Sequence, residues 1–571
     1  MEKRVFLAIF LSFVVLAGYQ TFLAPPPPVP TSPVGVPTVS APAGPAAAQT
    51  QGAPAPVSGP VAAPLVGDSS ARDIVVDTDS VRAVFSTRGA ILQSWKLKKY
   101  LEGGEPLELI SNEIPDTFPQ PFTLSTPDAA LSRTLATALY RPSADSLALG
   151  STSGRLSFEY RDDSGVSARK TFYFQPEGKA YVLKVEADIE QAGSSRPVTI
   201  SSGPGIGLGY QPDGSRRVPA RAVQHFGGKV RHLAASSLQK QSRYEGEIRF
   251  AGVEDQYFLS AVLPDTQHVS VEYQPITLPI TGNLKGETRT FVNYTVSVPN
   301  SLSMPFFLGP KDLEILRDVN PRLELPLAID FGMFAPLVVW LLLVLKWIHG
   351  FVGNYGWSIV VLTLLINLAI FPLRHKSMVS MKKMQAVQPE VKAIQERYAN
   401  FKMTDPERQK MNQEMMALYK QRGVNPVSGC VPMLLTMPIL FAFYALLSAA
   451  IEMRGAPFVG WLTDLSRHDP YYVTPVLMGL TMLWQQRMMP STADPIQQKM
   501  FLLMPVIFTV SFLWAPAGLV LYWLVSNLLA IGQQFITNRM ISAPPRAAAR
   551  VNAPRRIKAG TAGGDKSKTL S

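Results

Sequence analysis

The chain is short of the residues that most chemistry needs. Its 571 residues include one cysteine, Cys430, and six histidines. A single cysteine excludes an internal disulfide and any thiol-rich metal site. No carboxylate pair, histidine cluster or glycine loop has a spacing that demands catalysis. Asp162 and Asp163 lead into Ser-Gly and read as a turn, while Glu254 and Asp255 precede the strand-like YFLSAVL and read as a solvated edge. Gly203–Gly209 (GPGIGLG) lacks the strand-then-helix setting of a dinucleotide fingerprint. Neither a cofactor nor a metal is expected. No Asp, Glu, Lys or Arg lies near the middle of any long apolar run. That weighs against a proton- or ion-coupled transporter, as does the lack of repeats among the spans.

What the chain does have is apolar residues in blocks. Hydrophobic residues make up 47% of it, and most of the long runs lie beyond residue 330. This pattern belongs to an integral membrane protein with a large polar insert. The formal net charge of +12 could suggest nucleic acid. The positive residues cluster beside apolar spans, however, and the excess of Lys and Arg in cytoplasmic loops accounts for that.

In chain order, residues 1–23 carry Lys3 and Arg4 ahead of the apolar run Val5–Ala17, with no clean cleavage site after it. They read as an uncleaved membrane anchor with a cytoplasmic N-terminus. Residues 24–67, rich in Pro and Ala, form a periplasmic linker too poor in bulky apolar surface to fold. Residues 68–310 alternate short strand-like runs (Lys170–Phe174, Tyr181–Ala187, His268–Tyr273, Thr290–Val298) with turn residues, predicting a large antiparallel β-sandwich. A sandwich of this kind could bind sugar or peptide, so an anchored periplasmic carbohydrate-binding or carbohydrate-processing protein is the alternative function.

Residues 311–354 contain Ala335–Leu345, an apolar run of only about 11 residues, which suits an interfacial helix better than a span. Charge decides the matter. Residues 374–421 carry ten Lys and Arg and the tail after Phe535 carries eight, whereas Glu452–Pro470 carries two. Treating residues 335–347 as interfacial puts every basic segment in the cytoplasm. Six spans result, at 1–23, 355–373, 429–450, 471–489, 500–514 and 517–535. The fold class is therefore a multi-span α-helical membrane protein with a large periplasmic all-β sandwich domain. Both termini are expected in the cytoplasm, and 451–470 is a periplasmic loop.

The span 355–373 places Thr363 and Asn367 four residues apart on one face, in the half nearest the basic cluster Arg374, His375, Lys376. An amide in hydrocarbon needs a partner or a wet cavity. Thr436, Gln485, Ser511 and Asn527 add polar groups in later spans, although most Ser and Thr in spans simply bond their own helix. Residues 374–428 read as a cytoplasmic helical hairpin, with Pro389 in the first turn of one helix and Asp405-Pro406 opening the other. Seven methionines lie between Met378 and Met416. Among them Met381, Met384, Met411 and Met415 suit either contact with nascent helices or ordinary hairpin packing.

Five stretches carry a family likeness. They are LKWIHGFVGNYGWSI (Leu345–Ile359), QEMMALYKQRGVNPVSGCVPMLLTMPI (Gln413–Ile439), RGAPFVGWLTDLSRHDPYY (Arg454–Tyr472), DPIQQKM (Asp494–Met500) and MPVIFTVSFLWAPAGLVLYWLVSN (Met504–Asn527). Together they resemble the YidC membrane protein insertase family of the Gram-negative type. The resemblance implies a non-enzymatic insertase and chaperone of the bacterial inner membrane, with five of the six spans as its core. That core would enclose a hydrophilic groove open to the cytoplasm and to lipid. The implied partners are nascent membrane proteins, the ribosome, the Sec translocon and the lipid bilayer, with no small-molecule substrate. Thr363, Met478 and Trp523 fall where the family's groove positions lie. The family's groove arginine is matched here by Asn367, and tryptophan stands at Trp523 in place of the more usual tyrosine. The expectation is that an amide plus water keeps the groove hydrated while Arg374 and Lys376 supply a positive field at its mouth. The basic tail 536–571 could anchor to anionic lipid or touch ribosomal RNA.

Overall fold

The computed structural model describes residues 64–110, 115, 118–175, 178–203, 220–264, 268–279, 288–399, 401, 405–424, 431–488 and 495–540, with backbone alone at 431–436 and 495–501. The expected N-terminal anchor, nearly all of the linker, the loop Gly203–Gly209 beyond its first residue and the basic tail beyond Met540 lie outside these residues.

The insert folds as expected into β-structure. Alternation along Gly154–Asp162 turns Leu156, Phe158 and Tyr160 inward, and Val166–Phe174 buries Phe172 and Phe174 beside them. These two strands and Val182–Gln191, Leu302–Pro310, Phe258–Val262, Ile248–Glu254, Arg221–Phe226 and Lys229–Leu233 run in that order through the largest sheet, which begins at Pro64–Val66. The linker therefore ends in an edge strand, Pro64–Val66, paired to Gly154–Asp162. Two five-stranded sheets complete the domain, one around Val269–Pro279 and Thr288–Val298, the other around Ile91–Glu102 and Val81–Ser86. Strand pairs among the described residues are antiparallel except Asp73–Thr78 with Ser146–Gly150, which is parallel. All four runs read as strands in the sequence lie largely within strands.

Polar residues hold this domain in ways the sequence pattern hides. Lys170 sits on an alternating strand yet is fully buried, and its ammonium donates to the carbonyls of Gly89, Ala90 and Phe122 at 2.7–2.8 Å. Asp162 does make a turn: its carboxylate accepts from the Ser164 and Val166 amides. Glu254 corrects the expectation of a solvated edge, since it is completely buried. Its Oε1 lies 2.6 Å from Arg221 Nε and 2.7 Å from His232 Nδ1, and its Oε2 lies 3.0 Å from Lys311 Nζ. Two cations, Arg221 and Lys311, and the hydrogen-bonding ring of His232 offset the cost of burying the charge.

The helical half begins with α1, Ala335–Val352, which buries Val338, Leu341, Leu342, Leu345 and Ile348 and caps at Gly353. It is longer than the 11-residue apolar run, because Lys346 and His349 lie inside the helix rather than ending it. By length and composition, Gly332–Val352, Tyr355–Arg397 and Ala517–Met540 are long and apolar enough to cross a bilayer, and Met437–Ala449 and Leu502–Phe512 are shorter apolar helices. Helix α2, Tyr355–Arg397, runs 43 residues without interruption. The sequence placed a new helix start at Pro389, but residues 374–388 contain no Gly, Pro, Asn or Asp to stop the helix leaving the span. Helix α3 is Pro406–Gln421, α4 Val431–Ala449, α5 Val473–Met488, α6 Pro495–Phe512 and α7 Ala517–Met540.

Val387–Val424 fall in one compact unit, and Ala62–Ala386 with Asn425–Arg546 in another. Within the first, Ile394, Tyr398 and Met411 form a small core with Phe401, Met415 and Leu418 against it. The Tyr398 hydroxyl donates to Glu414 at 2.7 Å, and Arg422 bonds both oxygens of Glu390.

Candidate functional site

The amide of Asn367 has the partner that an amide in an apolar helix requires. Its Nδ2 donates to the Thr363 carbonyl at 2.8 Å, and its Oδ1 accepts from Arg374 Nη1 at 2.7 Å. Residues 367 and 374 are seven apart, two turns of α2, so they share a face. A long arginine side chain leans toward the N-terminus of its helix, which brings the guanidinium back to the amide. Both residues are partly buried. Thus Arg374, read from the sequence as a charge at the mouth, has its guanidinium at the Asn367 side chain. Tyr522 of α7 is within electrostatic reach of it and stacks on Phe443 of α4, with centroids 4.1 Å apart at 11°.

The remaining candidates divide by what they touch. Thr363 is buried and its hydroxyl donates to Ile359 O at 2.6 Å; Ser511 donates to Ile507 O at 2.9 Å. Each serves its own helix. Met478 is fully buried in α5. Asn527 is buried in α7 and donates to Met478 O and Thr481 Oγ1 of α5 at 3.4 and 3.3 Å, so its amide ties two helices together. Gln485 is half-buried. Trp523 is half-buried against α6, packed on Phe508 and Phe512 at centroid distances of 5.5 and 4.9 Å. The Thr436 side chain lies outside the described residues. Met411 and Met415 pack within the hairpin core, and Met381 and Met384 are half-buried on α2.

Several helix contacts escaped the sequence reading. Gln533 donates to Phe371 O at 3.2 Å, Gln534 to Met488 O, and Thr537 faces His375 Nδ1 at 3.2 Å. These side chains lie three and four residues apart on α7, a spacing that could have flagged a polar face buried against neighbours. Gly479 lets α5 and α6 approach closely, because a Cβ there would meet Thr509 Oγ1 at 2.0 Å.

The β domain offers a cavity of about 390 Å³ lined by Glu272, Gln274, Ser242 and Thr295 among others. Its lining includes one carboxylate rather than the pair that glycoside chemistry ordinarily uses.

Comparison with known proteins gives consistent matches along the chain. The family described as 60Kd inner membrane protein matches residues 347–544, and that described as YidC periplasmic domain matches residues 73–344. The chain is 37% identical over 562 residues to the membrane protein insertase YidC of Geobacter sulfurreducens, covering 95% of this chain and 99% of that one. It is 36% identical over 564 residues to the YidC of Geobacter metallireducens, with the same coverage. Among solved structures, an active YidC insertase with its first transmembrane domain resolved matches with a TM-score of 0.33 and 18% identity, over 82% of this chain and 94% of that one.

Proposed function

The chain belongs to the YidC family of membrane protein insertases, and on that premise we propose that it passes nascent transmembrane segments into the inner membrane through a polar groove centred on Asn367 and Arg374. The observation that carries this is the 2.7 Å hydrogen bond between these two side chains on a helix long and apolar enough to span. A polar segment crossing a full hydrocarbon layer costs several kcal/mol for each unsatisfied group. A hydrated groove reaching part-way across removes much of that cost. The apolar helix that follows leaves sideways into lipid, driven by burial at about 0.8 kcal/mol per CH₂. The protein's role in this is to bind, hydrate and release, without covalent chemistry.

Six spans are proposed, with both termini and the hairpin in the cytoplasm and the β domain in the periplasm. Lys346 supports an interfacial α1. It lies 3.8 Å from Asp312 and 3.0 Å from Glu314, ahead of the helix, and 3.4 Å from Glu452 in the basic-poor loop. Both ends of the stretch from Asp312 to Lys346 therefore lie on the side of that loop. Thr363, Gln485, Ser511 and Trp523 are proposed to border the groove, and the ribosome and the Sec translocon are proposed partners.

Photocrosslinking tests this reading, with a probe at Asn367 or at Trp523 and a stalled ribosome-bound membrane protein as client. Crosslinks to the nascent helix from both positions are expected. Silence from both would overturn the groove.

A further inference from the structure

Where α1 turns into α2 lies an open cavity of about 240 Å³ lined by His349, Asn354, Tyr355, Glu452 and Arg454 among others. Gly353 ends α1 and Asn354 caps α2, its Oδ1 accepting from the Trp357 amide while its Nδ2 donates to Pro457 O across the cavity's wall. The Glu452 side chain is only 8% exposed; Lys346 Nζ forms an ion pair with its Oε1 at 3.4 Å, and no well-aligned hydrogen bond reaches that oxygen. His349, stacked on Tyr355 with centroids 3.7 Å apart, also leaves Nδ1 unpartnered. Glu452 Oε1 is thus a buried acceptor without a hydrogen-bond donor, which is costly, and His349 Nδ1 is a second unpartnered polar atom on the same lining. The charge balance runs the same way. Asp312, Glu314 and Glu452 surround the single ammonium of Lys346.

The surroundings identify the donor's source. Trp347, Phe351 and Trp357 are exposed to 62%, 76% and 49% on the helices flanking the cavity. Aromatic residues of this kind sit at the headgroup level of a bilayer. Arg454, held by the Leu101 carbonyl and the Phe258 ring, places a guanidinium on the same lining. A molecule that offers N–H donors to Glu452 and His349, a phosphate to Arg454 and acyl chains to the apolar flank is an ethanolamine phospholipid. We propose that this cavity is a phosphatidylethanolamine headgroup site in the periplasmic leaflet. The ammonium donates to Glu452 Oε1 and His349 Nδ1, and the phosphate lies toward Arg454. The proposal rests on the membrane orientation proposed above.

The test uses full-length protein in nanodiscs of mixed lipid, with co-purifying lipid counted by mass spectrometry after extraction. One phosphatidylethanolamine per chain is expected to be enriched over phosphatidylcholine by roughly tenfold, the worth of one charge-assisted hydrogen bond. Stepwise N-methylation of the headgroup should reduce the enrichment in order, because each methyl removes a donor. This arm uses the wild-type chain and is immune to misfolding. Glu452→Gln, checked for an unchanged melting temperature, should abolish the preference. Equal retention of the choline lipid, or a preference for phosphatidylglycerol, would overturn the site. Insertion of a client, assayed separately, reports on the groove alone, so the two readings fail independently.

Discussion

The guanidinium of Arg374 donates to the side-chain oxygen of Asn367 from two helical turns away on the same helix. A neutral residue at the expected place of a groove charge thus comes with an arginine held against it. In the proposed groove the pair would act as one polar element, with Asn367 orienting the charge that Arg374 supplies. Asn367→Leu and Arg374→Ala should each reduce client insertion in proteoliposomes roughly tenfold, since a hydrogen bond to a charged group contributes about 1.5–3 kcal/mol. The double variant should be little worse than either single one, as coupled residues are non-additive. Losses that simply multiply would show that the residues act separately, and full activity of Asn367→Leu would remove the amide from the mechanism.

Asn527 behaves differently because its amide is spent on α5. Asn527→Leu should lower thermal stability by about 1 kcal/mol, through two hydrogen bonds of marginal length, while leaving crosslinking from Trp523 in place. Gly479→Val should cost more, about 1–3 kcal/mol, because its side chain must push Thr509 and α6 away. Thermal unfolding of the detergent-solubilised protein separates the two. A Gly479→Val variant as stable as wild type would mean that α5 and α6 separate freely.

The β fold and most of the helices were legible because their signals are periodic: alternation in the strands, and unbroken apolar runs in the spans. What was not legible depends on partners distant in sequence. Glu254 looks like a surface acid until Arg221, His232 and Lys311 converge on it from three other segments. Arg374 looks like a loop charge when the helix is ended at residue 373, although the lack of Gly, Pro, Asn and Asp over 374–388 is a sign that α2 continues as one helix. Pro389 suggested a break, but a proline costs one backbone hydrogen bond and some strain, which a long helix of good formers absorbs. Thr363 was found by the pattern, yet its hydroxyl is occupied by its own backbone.

Lys170 gives a direct test of the β domain's interior. Its ammonium satisfies three carbonyls that are otherwise buried among Phe122, Ala90 and Gly89. Lys170→Met preserves the apolar stem and removes the donors, so the carbonyls are left unpaired. A loss of about 3–5 kcal/mol is expected, as for a broken buried polar network. Denaturant unfolding followed by tryptophan fluorescence would measure it, since Trp95 is buried in the same core. A loss under about 1 kcal/mol would mean that water replaces the ammonium.

Glu254 makes the domain sensitive to acid. Burial alone would raise its carboxyl pKa, but Lys311, His232 and Arg221 outweigh burial and hold it down at about 2. A carboxylate depressed in the folded state contributes stability that is fully present above its unfolded pKa of about 4.3. That contribution is lost as pH falls through the window from there to about 2. Its size is on the order of 3 kcal/mol at most, from a shift of about two units at 1.36 kcal/mol each. Stability of the wild-type chain should therefore decline across that window, and the slope should flatten in Glu254→Gln, which has nothing left to protonate. The variant should also be less stable at pH 7, because Arg221, His232 and Lys311 would then surround a neutral amide. An unchanged slope in Glu254→Gln would assign the acid sensitivity to other carboxylates.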